Sequence, residues 1–375
     1  MPDTSSSDAP RPRRPRPPIP VTVLTGFLGA GKTTLLNRLL GDPGLKNTAV
    51  LINEFGEIGL DHLLVRTVED GIVMLSSGCV CCSVRGDLVA ALEDLLRALD
   101  NGRIDPFDRV VIETTGLADP IPVIHTMMAH PYLVMRYRLD AVVTVIDAVN
   151  GLATLDAHPE AVKQAAVADR IVLSKTDLVD DGPRRADFAR LEARLAQLAP
   201  AAIRLDAARG EADAAAVLAA GLYDPATKLP DVARWLNEAA LDPDDAGHAH
   251  DDGIKAFALT SDQAMGSAAF DMFMDLLRGA HGPKLLRVKG VVKIAEFPDR
   301  PVVIHGAQHV FHPTTVLDAW PDGDARTRIV FILKDMEPQV IQALYDAFLG
   351  TARPDQPDRA ALTDNPLAIP GLRGR

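Results

Sequence analysis

Long apolar runs and cysteines are both scarce in this 375-residue chain. No apolar stretch approaches the roughly 18 to 20 residues that a membrane-spanning helix needs, so we expect no membrane partner. Residues 1–20 are rich in proline, serine and arginine and lack the apolar section of a secretory signal peptide. We therefore expect a cytoplasmic protein with reduced thiols, in which residues 1–20 form a disordered arm.

Basic residues are also in deficit. The chain has 39 lysines and arginines against 51 aspartates and glutamates, which gives a net charge of -12 and a pI near 5.3. Binding to nucleic acid requires clustered basic side chains that neutralise phosphates, so we expect no nucleic-acid partner. The remaining composition, 47% hydrophobic and 24% charged, is that of an ordinary globular chain with room for two domains.

The strongest motif is the run GFLGAGKTT at residues 26–34, which matches the phosphate-loop pattern G-x-x-x-x-G-K-[ST]. It follows the β-branched run Val21–Thr25 and precedes leucines at helical spacing, which is the strand, loop and helix context that the motif requires. Glycines let the loop wrap round a di- or triphosphate so that its backbone N–H groups point inward. Lys32 would reach the phosphates, and the Thr33 hydroxyl would bind Mg²⁺. The residues assigned to this site are Gly26, Gly29, Ala30, Gly31, Lys32, Thr33 and Thr34.

Carboxylates follow several of the predicted strands. The apolar run 109–112 delivers Glu113 to the sheet edge, where a phosphate-loop protein holds Mg²⁺ or its coordinated water, and we assign Glu113 to the catalytic set with Lys32 and Thr33. Asp147, after the strand 141–146, competes for the same role. The acidic segment 54–61 follows another strand and reads either as a metal-binding loop or as a solvated turn.

The tetrad Ser174-Lys175-Thr176-Asp177 follows the apolar strand 170–173 and resembles the guanine-reading element [NT]-K-x-D. A carboxylate at Asp177 can accept hydrogen bonds from both N1–H and the exocyclic amine of guanine, which adenine cannot offer. The stem of Lys175 would cover the ring. We therefore assign Lys175 and Asp177 to base recognition.

All three cysteines lie within four positions, at Cys79, Cys81 and Cys82. Adjacent cysteines are poorly placed for a relaxed disulfide, so in a reducing compartment this pattern favours a metal site. Thiolates suit Zn²⁺, with Co²⁺ or Cu⁺ as competitors, and Zn²⁺ usually takes four ligands. The missing ligand could be Glu57, His130, water or a partner's side chain.

The predicted fold class is α/β. Strands that alternate with helical stretches indicate a P-loop domain with a mainly parallel sheet and helices on both faces, followed by a smaller α+β domain with an antiparallel sheet. The histidines at 248 and 250 lie in an aperiodic acidic linker and could hold a metal transiently, although a solvated loop is favoured. His305, His309 and His312 are assigned structural or surface roles. The predicted divisions are a disordered arm at 1–20, the P-loop domain at 21–225, a helix and linker at 226–253, the α+β domain at 254–350 and a flexible tail at 351–375.

Taken together, these motifs resemble the CobW-type metallochaperone GTPases, in particular their zinc-binding YjiA-type members. The likeness covers about residues 21–350. It includes the phosphate loop, the segment NEFGE at 53–57, GCVCC at 78–82, ETTG at 113–116 and SKTD at 174–177. Further matching stretches are residues 118–120, 129–130, 136–140 and 288–290. Ser174 departs from the asparagine that GTPases often have.

This resemblance implies slow hydrolysis of GTP to GDP and phosphate, coupled to metal binding at the C-x-C-C motif. The implied metal ligands are Cys79, Cys81 and Cys82, with Glu57 and His130 as further candidates. GTP, Mg²⁺ and Zn²⁺ are the expected cofactors and cargo, and Co²⁺ is an alternative cargo. The expected partner is a client metalloprotein, and a homodimer that depends on nucleotide or metal is also expected.

Three functions follow for testing. The first is a nucleotide-gated zinc carrier. The second is cobalt delivery for cobalamin synthesis, or activation of another metalloenzyme. The third is an ATP-dependent small-molecule kinase with incidental or redox-sensing thiols, which the tetrad at 174–177 disfavours.

Overall fold

The computed structural model describes residues 17–42, 45, 47–53, 64–68, 72–77, 84–179, 182–218, 253–311, 313–321 and 323–349. They form two sheets, each in its own part of the chain. Within these ranges no helix combines the length and the apolar character needed to cross a membrane.

The first sheet has eight strands in the order β3-β4-β2-β5-β1-β6-β7-β8. All neighbouring strands run parallel except the edge strand β3, which is antiparallel to β4. The carboxyl ends of the seven parallel strands therefore meet at one edge of the sheet. The strands are β1 Ile19–Thr25, β2 Thr48–Asn53, β3 Leu64–Val68, β4 Ile72–Ser77, β5 Arg109–Glu113, β6 Tyr137–Asp147, β7 Arg170–Ser174 and β8 Ile203–Asp206.

Helices cover both faces of this sheet. Val21 and Val23 of β1 pack with the helices α2 and α3, whereas Leu24 of the same strand packs with α1 and α8. This alternation is the period of two that a buried strand shows. The helices are α1 Lys32–Leu40, α2 Val84–Asp100, α3 Ile121–Ala129, α4 Leu133–Arg136, α5 Gly151–Ala157, α6 Pro159–Ala166, α7 Pro183–Leu198 and α8 Ala214–Leu218.

The second sheet is antiparallel, in the order β12-β11-β10-β14-β9, with β13 paired to β11. One face packs on two amphipathic helices through Phe273 and Ile341. The other face presents Val330 and Ile332 to the core that also holds α2 and α3, so the two sheets share one apolar cluster. The elements are β9 Ile254–Ser261, α9 Ser267–His281, β10 Leu285–Val292, β11 Val302–Ala307, β12 Val310–Phe311, β13 Thr315–Val316, β14 Thr327–Lys334 and α10 Pro338–Phe348.

The predicted fold class is confirmed: a mainly parallel sheet with helices on both faces precedes a smaller α+β unit. The domain limits at 225, 253 and 350 remain predictions, because residues 219–252 and 350–375 lie outside the described residues. The same holds for residues 1–16 of the predicted arm, for the histidines at 248 and 250, and for His312. Ile19 and Pro20, which the prediction assigned to the arm, belong to strand β1 instead. Of the other histidines assigned structural or surface roles, His305 is buried, and the exposed His309 packs its ring edge-on against His125 with centroids 4.1 Å apart.

Candidate nucleotide site at the sheet edge

The phosphate loop links β1 to α1 and depends on glycine backbone geometry. Gly26 has φ of 140°, and a Cβ there would lie 2.3 Å from the carbonyl oxygen of Val145 on β6. No side chain fits that position. Gly29 and Gly31 also have positive φ, 73° and 98°, and Gly31 caps the N-terminus of α1. The loop thus passes close over β6 and presents a helix N-terminus, which favours anions.

Lys32 lies at the start of α1 and is only 9% exposed. Its Nζ donates to the carbonyl oxygens of Gly26, at 2.9 Å, and Phe27, at 3.2 Å. A nearly buried ammonium group inside a loop of this geometry fits a phosphate-binding role, because phosphate oxygens are acceptors like the carbonyls it now contacts.

The hydroxyl of Thr33 and the carboxylate of Glu113 meet across the sheet edge. Thr33 Oγ1 donates to Glu113 Oε1 at 2.8 Å, and Glu113 is 4% exposed. Hydroxyl and carboxylate oxygens are the ligands that Mg²⁺ prefers, so these residues fit a Mg²⁺ ion beside the phosphates. Thr34 is exposed on α1.

Asp147, the other carboxylate considered for the Mg²⁺ site, contacts Lys175 of the tetrad instead. Its Oδ2 accepts from Lys175 Nζ at 2.7 Å and from Asn150 at 3.0 Å. Burial opposes ionisation, but these bonds and the backbone N–H groups of residues 149 and 150 outweigh it and lower the pKa of Asp147. Asp147 therefore holds Lys175, whereas Glu113 is the carboxylate beside Thr33.

Ser174 connects the tetrad to the phosphate loop. Its Oγ donates to the carbonyl oxygen of Ala30 at 2.6 Å. Lys175 adds a second link by donating to the carbonyl oxygen of Gly29 at 2.9 Å, and its φ of 59° puts it in the left-handed region. Asp177 is exposed one turn further on. Ser174 and Lys175 therefore join the tetrad to the phosphate loop.

A cavity of about 290 Å³ adjoins these loops. Its lining includes residues 27–30 of the phosphate loop, residues 144–147 at the end of β6, part of helix α5, and Lys175 of the tetrad. Phe27 stacks on His158 with ring centroids 4.4 Å apart. The described part of the chain thus places concave space next to both the phosphate loop and the tetrad.

The loop after β5 is held in place from two sides. Thr114 donates its backbone N–H to Leu24 and its hydroxyl to Thr25, both at 2.9 Å. From α6, Gln164 Nε2 donates to the carbonyl oxygens of Gly116, at 3.1 Å, and Ala118, at 2.9 Å. Gln164 carries no motif and stands in an ordinary amphipathic helix, so nothing in the sequence singles it out.

The same loop touches the phosphate loop directly. A Cβ on Gly116 would lie 2.6 Å from the backbone nitrogen of Leu28. Asp119 then accepts from the N–H of Ile121 at the start of α3 and pairs with Lys163 of α6 at 2.9 Å. Helix α6 is therefore the scaffold on which this loop rests.

Most of the predicted metal ligands lie outside the described residues. This applies to Glu57, Cys79, Cys81 and Cys82. His130 is described at the end of α3, where its Nδ1 accepts from the N–H of Leu133 at 3.4 Å. Among the described residues no three His, Cys, Asp or Glu side chains are grouped to hold a metal, so the role of His130 stays a prediction.

Comparison with known proteins gives two family matches. Residues 20–205 match the CobW/HypB/UreG nucleotide-binding domain, and residues 254–349 match the cobalamin synthesis protein CobW C-terminal domain. The zinc chaperone YjiA of Escherichia coli is 34% identical over 331 residues, which cover 88% of this chain and 98% of that protein. The chain belongs to the CobW family.

Two further comparisons agree with this membership. The crystal structure of Zn(II)-bound YjiA GTPase from Escherichia coli matches with a TM-score of 0.68 and 31% identity, covering 89% of this chain and 99% of that one. The zinc-regulated GTPase metalloprotein activator 1 of Schizosaccharomyces pombe is 43% identical over 169 residues, 43% of this chain and 40% of that protein. The predicted resemblance to CobW-type GTPases is confirmed, and the nucleotide site described above belongs to a CobW-family GTPase.

Proposed function

We propose that this CobW-family protein is a GTP-hydrolysing metallochaperone that binds zinc at Cys79, Cys81 and Cys82 and passes it to a client metalloprotein. The observation that carries the proposal is the joining of three loops at one sheet edge. Ser174 joins the tetrad to the phosphate loop, Thr33 contacts Glu113, and Gly116 packs on Leu28.

The nucleotide would be held by residues that the chain brings together. Lys32 would exchange the carbonyl oxygens of Gly26 and Phe27 for phosphate oxygens, and the loop glycines would supply backbone N–H donors. Asp177 would read guanine while Lys175, fixed by Asp147, covers the ring. We assign Gly26, Gly29, Ala30, Gly31, Lys32, Thr33 and Thr34 to the phosphate site.

Hydrolysis would use Thr33 and Glu113. Thr33 would hold Mg²⁺, and Glu113, 2.8 Å from the Thr33 hydroxyl, would accept a hydrogen bond from water bound to the metal. When bound, Mg²⁺ neutralises the charge that develops on the phosphate oxygens. We expect turnover to be slow, as the resemblance to CobW-type GTPases implies.

The position of the thiols along the chain supports communication with the nucleotide. Strand β4 ends at Ser77, two residues before Cys79, and α2 begins at Val84, two residues after Cys82. Ser77 pairs with Asn53 of β2, and the preceding residue of β2 pairs with Glu113. The chain therefore enters the cysteine segment near the sheet edge that carries Glu113.

Zinc is the proposed cargo because proteins named as zinc chaperones are related over most of their length. Three thiolates without a fixed fourth ligand would bind Zn²⁺ in a form that can be transferred. Glu57 and His130 are the proposed additional ligands. Cobalt is the alternative cargo. The two are separated by which metal's affinity changes with the nucleotide state, because simple competition follows the general preference for Zn²⁺ over Co²⁺. A cytoplasmic location and a homodimer that depends on nucleotide or metal remain part of this proposal.

A transfer experiment tests the coupling between hydrolysis and release. The protein is loaded with Zn²⁺ and Mg·GTP, and a chromogenic chelator reports free zinc while phosphate release is followed in parallel. We expect zinc to reach the chelator as phosphate is released, and more slowly with a non-hydrolysable GTP analogue. The control variant Ser83→Ala, next to Cys82 in the cysteine segment, should release zinc like the wild type. Zinc release at one rate with GTP and with the analogue would contradict the proposal.

A further inference from the structure

At the junction of the two sheets, one buried carboxylate meets two buried cations. Arg287 Nη2 donates to both oxygens of Asp169, at 2.9 and 2.8 Å, and Lys289 also donates to Asp169. Asp169 lies between α6 and β7, whereas Arg287 and Lys289 belong to β10. Their side chains are only 4 to 11% exposed. This cluster therefore has one more positive charge than its carboxylate neutralises.

Part of the Arg287 guanidinium lacks an acceptor. Its Nη2 is used by Asp169, but its Nε and Nη1 have no hydrogen-bond partner among the described residues. Arg170 adds to the positive potential around Lys289. A buried N–H of a charged group that is left without an acceptor is costly, so native proteins normally supply one.

A small cavity lies next to these groups. Its volume is about 20 Å³, and it is lined by Arg287 and Lys289 together with five alanines near α6 and β8 and the apolar side chains of Val330 and Ile332. A cavity needs roughly 10 to 15 Å³ to hold one water, so this one accommodates a single small species. Phosphate or sulfate, with four oxygens round a central atom, exceeds the space of about 20 Å³ between these side chains.

The chemistry of the lining selects among small species. The polar side chains of the cavity, Arg287 and Lys289, are both donors only. An anion needs donors alone, which these two side chains supply, whereas a buried water would also need acceptors, and only backbone carbonyl groups could provide them here. An anion would also balance the surplus charge of the cluster.

We propose that this cavity binds one monovalent anion of halide size, chloride under cellular conditions, between Arg287 and Lys289. The site is composite, because α6 and β8 precede residue 219 and β10 and β14 follow residue 253. The bound anion therefore stabilises the association of the two sheets. The inference goes beyond the proposed function and stands without it.

Binding of the anion in the cavity would favour the protonated form of Lys289. Burial lowers the pKa of Lys289 to about 8, with Asp169 opposing and Arg287 adding to the effect. A neighbouring anion favours the charged ammonium group, so binding raises this pKa.

Thermal unfolding of the full chain tests the site, with chloride, bromide or gluconate as sodium salts at fixed ionic strength. We expect the unfolding midpoint to rise and then saturate with chloride and bromide and to stay unchanged with gluconate. Arg287→Lys keeps a cation beside Asp169 but lacks the Nε and Nη1 donors, so it should lose the halide response. Arg278→Lys, at an exposed position of α9, should keep it. Equal wild-type midpoints in chloride and gluconate would overturn the proposal.

Crystals grown in bromide give a second measurement that does not depend on a variant that folds. We expect an anomalous difference peak within hydrogen-bond distance of Arg287 Nε or Nη1. A cavity that contains water or nothing at saturating bromide would refute the anion site.

Discussion

Single residues at the sheet edge show how far a motif fixes structure. Gly26 is dictated by its φ of 140° and by the carbonyl of Val145, and the phosphate-loop pattern predicts it. Ser174 departs from the usual asparagine, yet its hydroxyl still bonds to the loop at Ala30. The sequence could not decide whether Glu113 or Asp147 assists Mg²⁺, because each carboxylate follows an apolar strand. The structure shows that Asp147 is the partner of Lys175.

Base recognition is tested by Asp177→Asn. The amide offers one donor and one acceptor where the carboxylate offers two acceptors, so it no longer matches guanine and matches xanthine instead. We expect GTP affinity to fall roughly 100-fold or more while affinity for xanthosine triphosphate rises. Fluorescent nucleotide titration measures both, and Asp187→Asn, on exposed α7, serves as the control. An unchanged preference for GTP would contradict the assignment of Asp177.

The Asp169 carboxylate is tested by its removal. Asp169→Ala leaves Arg287 and Lys289 buried without their partner, and we expect the free energy of unfolding to fall by about 3 to 5 kcal/mol. Asp187→Ala breaks an exposed pair with Arg190 and should cost less than about 1 kcal/mol. Urea unfolding measures both. Similar losses in the two variants would show that the buried cluster contributes little.

The same residue sets a pH dependence. Burial raises the pKa of Asp169, but Arg287 and Lys289 outweigh it, so the pKa in the folded state is below the usual value. The stability that Asp169 contributes is therefore complete above its unfolded pKa of about 4 and is lost as the pH falls through the folded pKa. Urea unfolding from pH 6 downwards should show this loss in the wild type. Asp169→Asn should be less stable at neutral pH and should lose less as the pH falls, and parallel curves would contradict the account.

At the scale of elements, α6 is the unexpected scaffold. Its Lys163 and Gln164 hold the loop between Glu113 and Asp119, and the chain after it reaches Asp169 at the domain junction. Apolar strands and amphipathic helices were predicted because their periods are visible in the sequence. Strand β8 and helix α3 were not, because β8 has only four residues and α3 is buried on most sides, which removes the polar stripe.

Gln164→Met tests this scaffold. The variant keeps the volume but removes both hydrogen bonds to the loop carbonyls, so the loop should lose its position relative to Thr33. We expect kcat for GTP hydrolysis to fall about tenfold, with the KM for GTP nearly unchanged. Gln342→Met, on α10, is the matched control and should leave both constants intact. A change confined to KM, or none, would show that α6 is only a structural support.

At the scale of the whole molecule, the two sheets share one apolar cluster and one buried ion cluster. The sequence predicted both units but could not predict their junction, because Asp169 lies more than 100 residues before Arg287 and Lys289 and only the folded chain brings them into contact. For the cysteine segment, by contrast, the motif is visible in the sequence. Its metal chemistry is a proposal that solution measurements must test.

The central claim is that nucleotide state controls metal affinity, and the most direct test is the Zn²⁺ affinity of the full chain. Competition titrations are made with a non-hydrolysable GTP analogue and Mg²⁺, with GDP, and without nucleotide, on the wild type and on the variant with Cys79, Cys81 and Cys82 replaced by alanine. The account predicts that the wild type binds zinc more tightly with the GTP analogue than with GDP, and that this difference vanishes in the variant. Equal zinc affinity of the wild type in all three nucleotide states would contradict it.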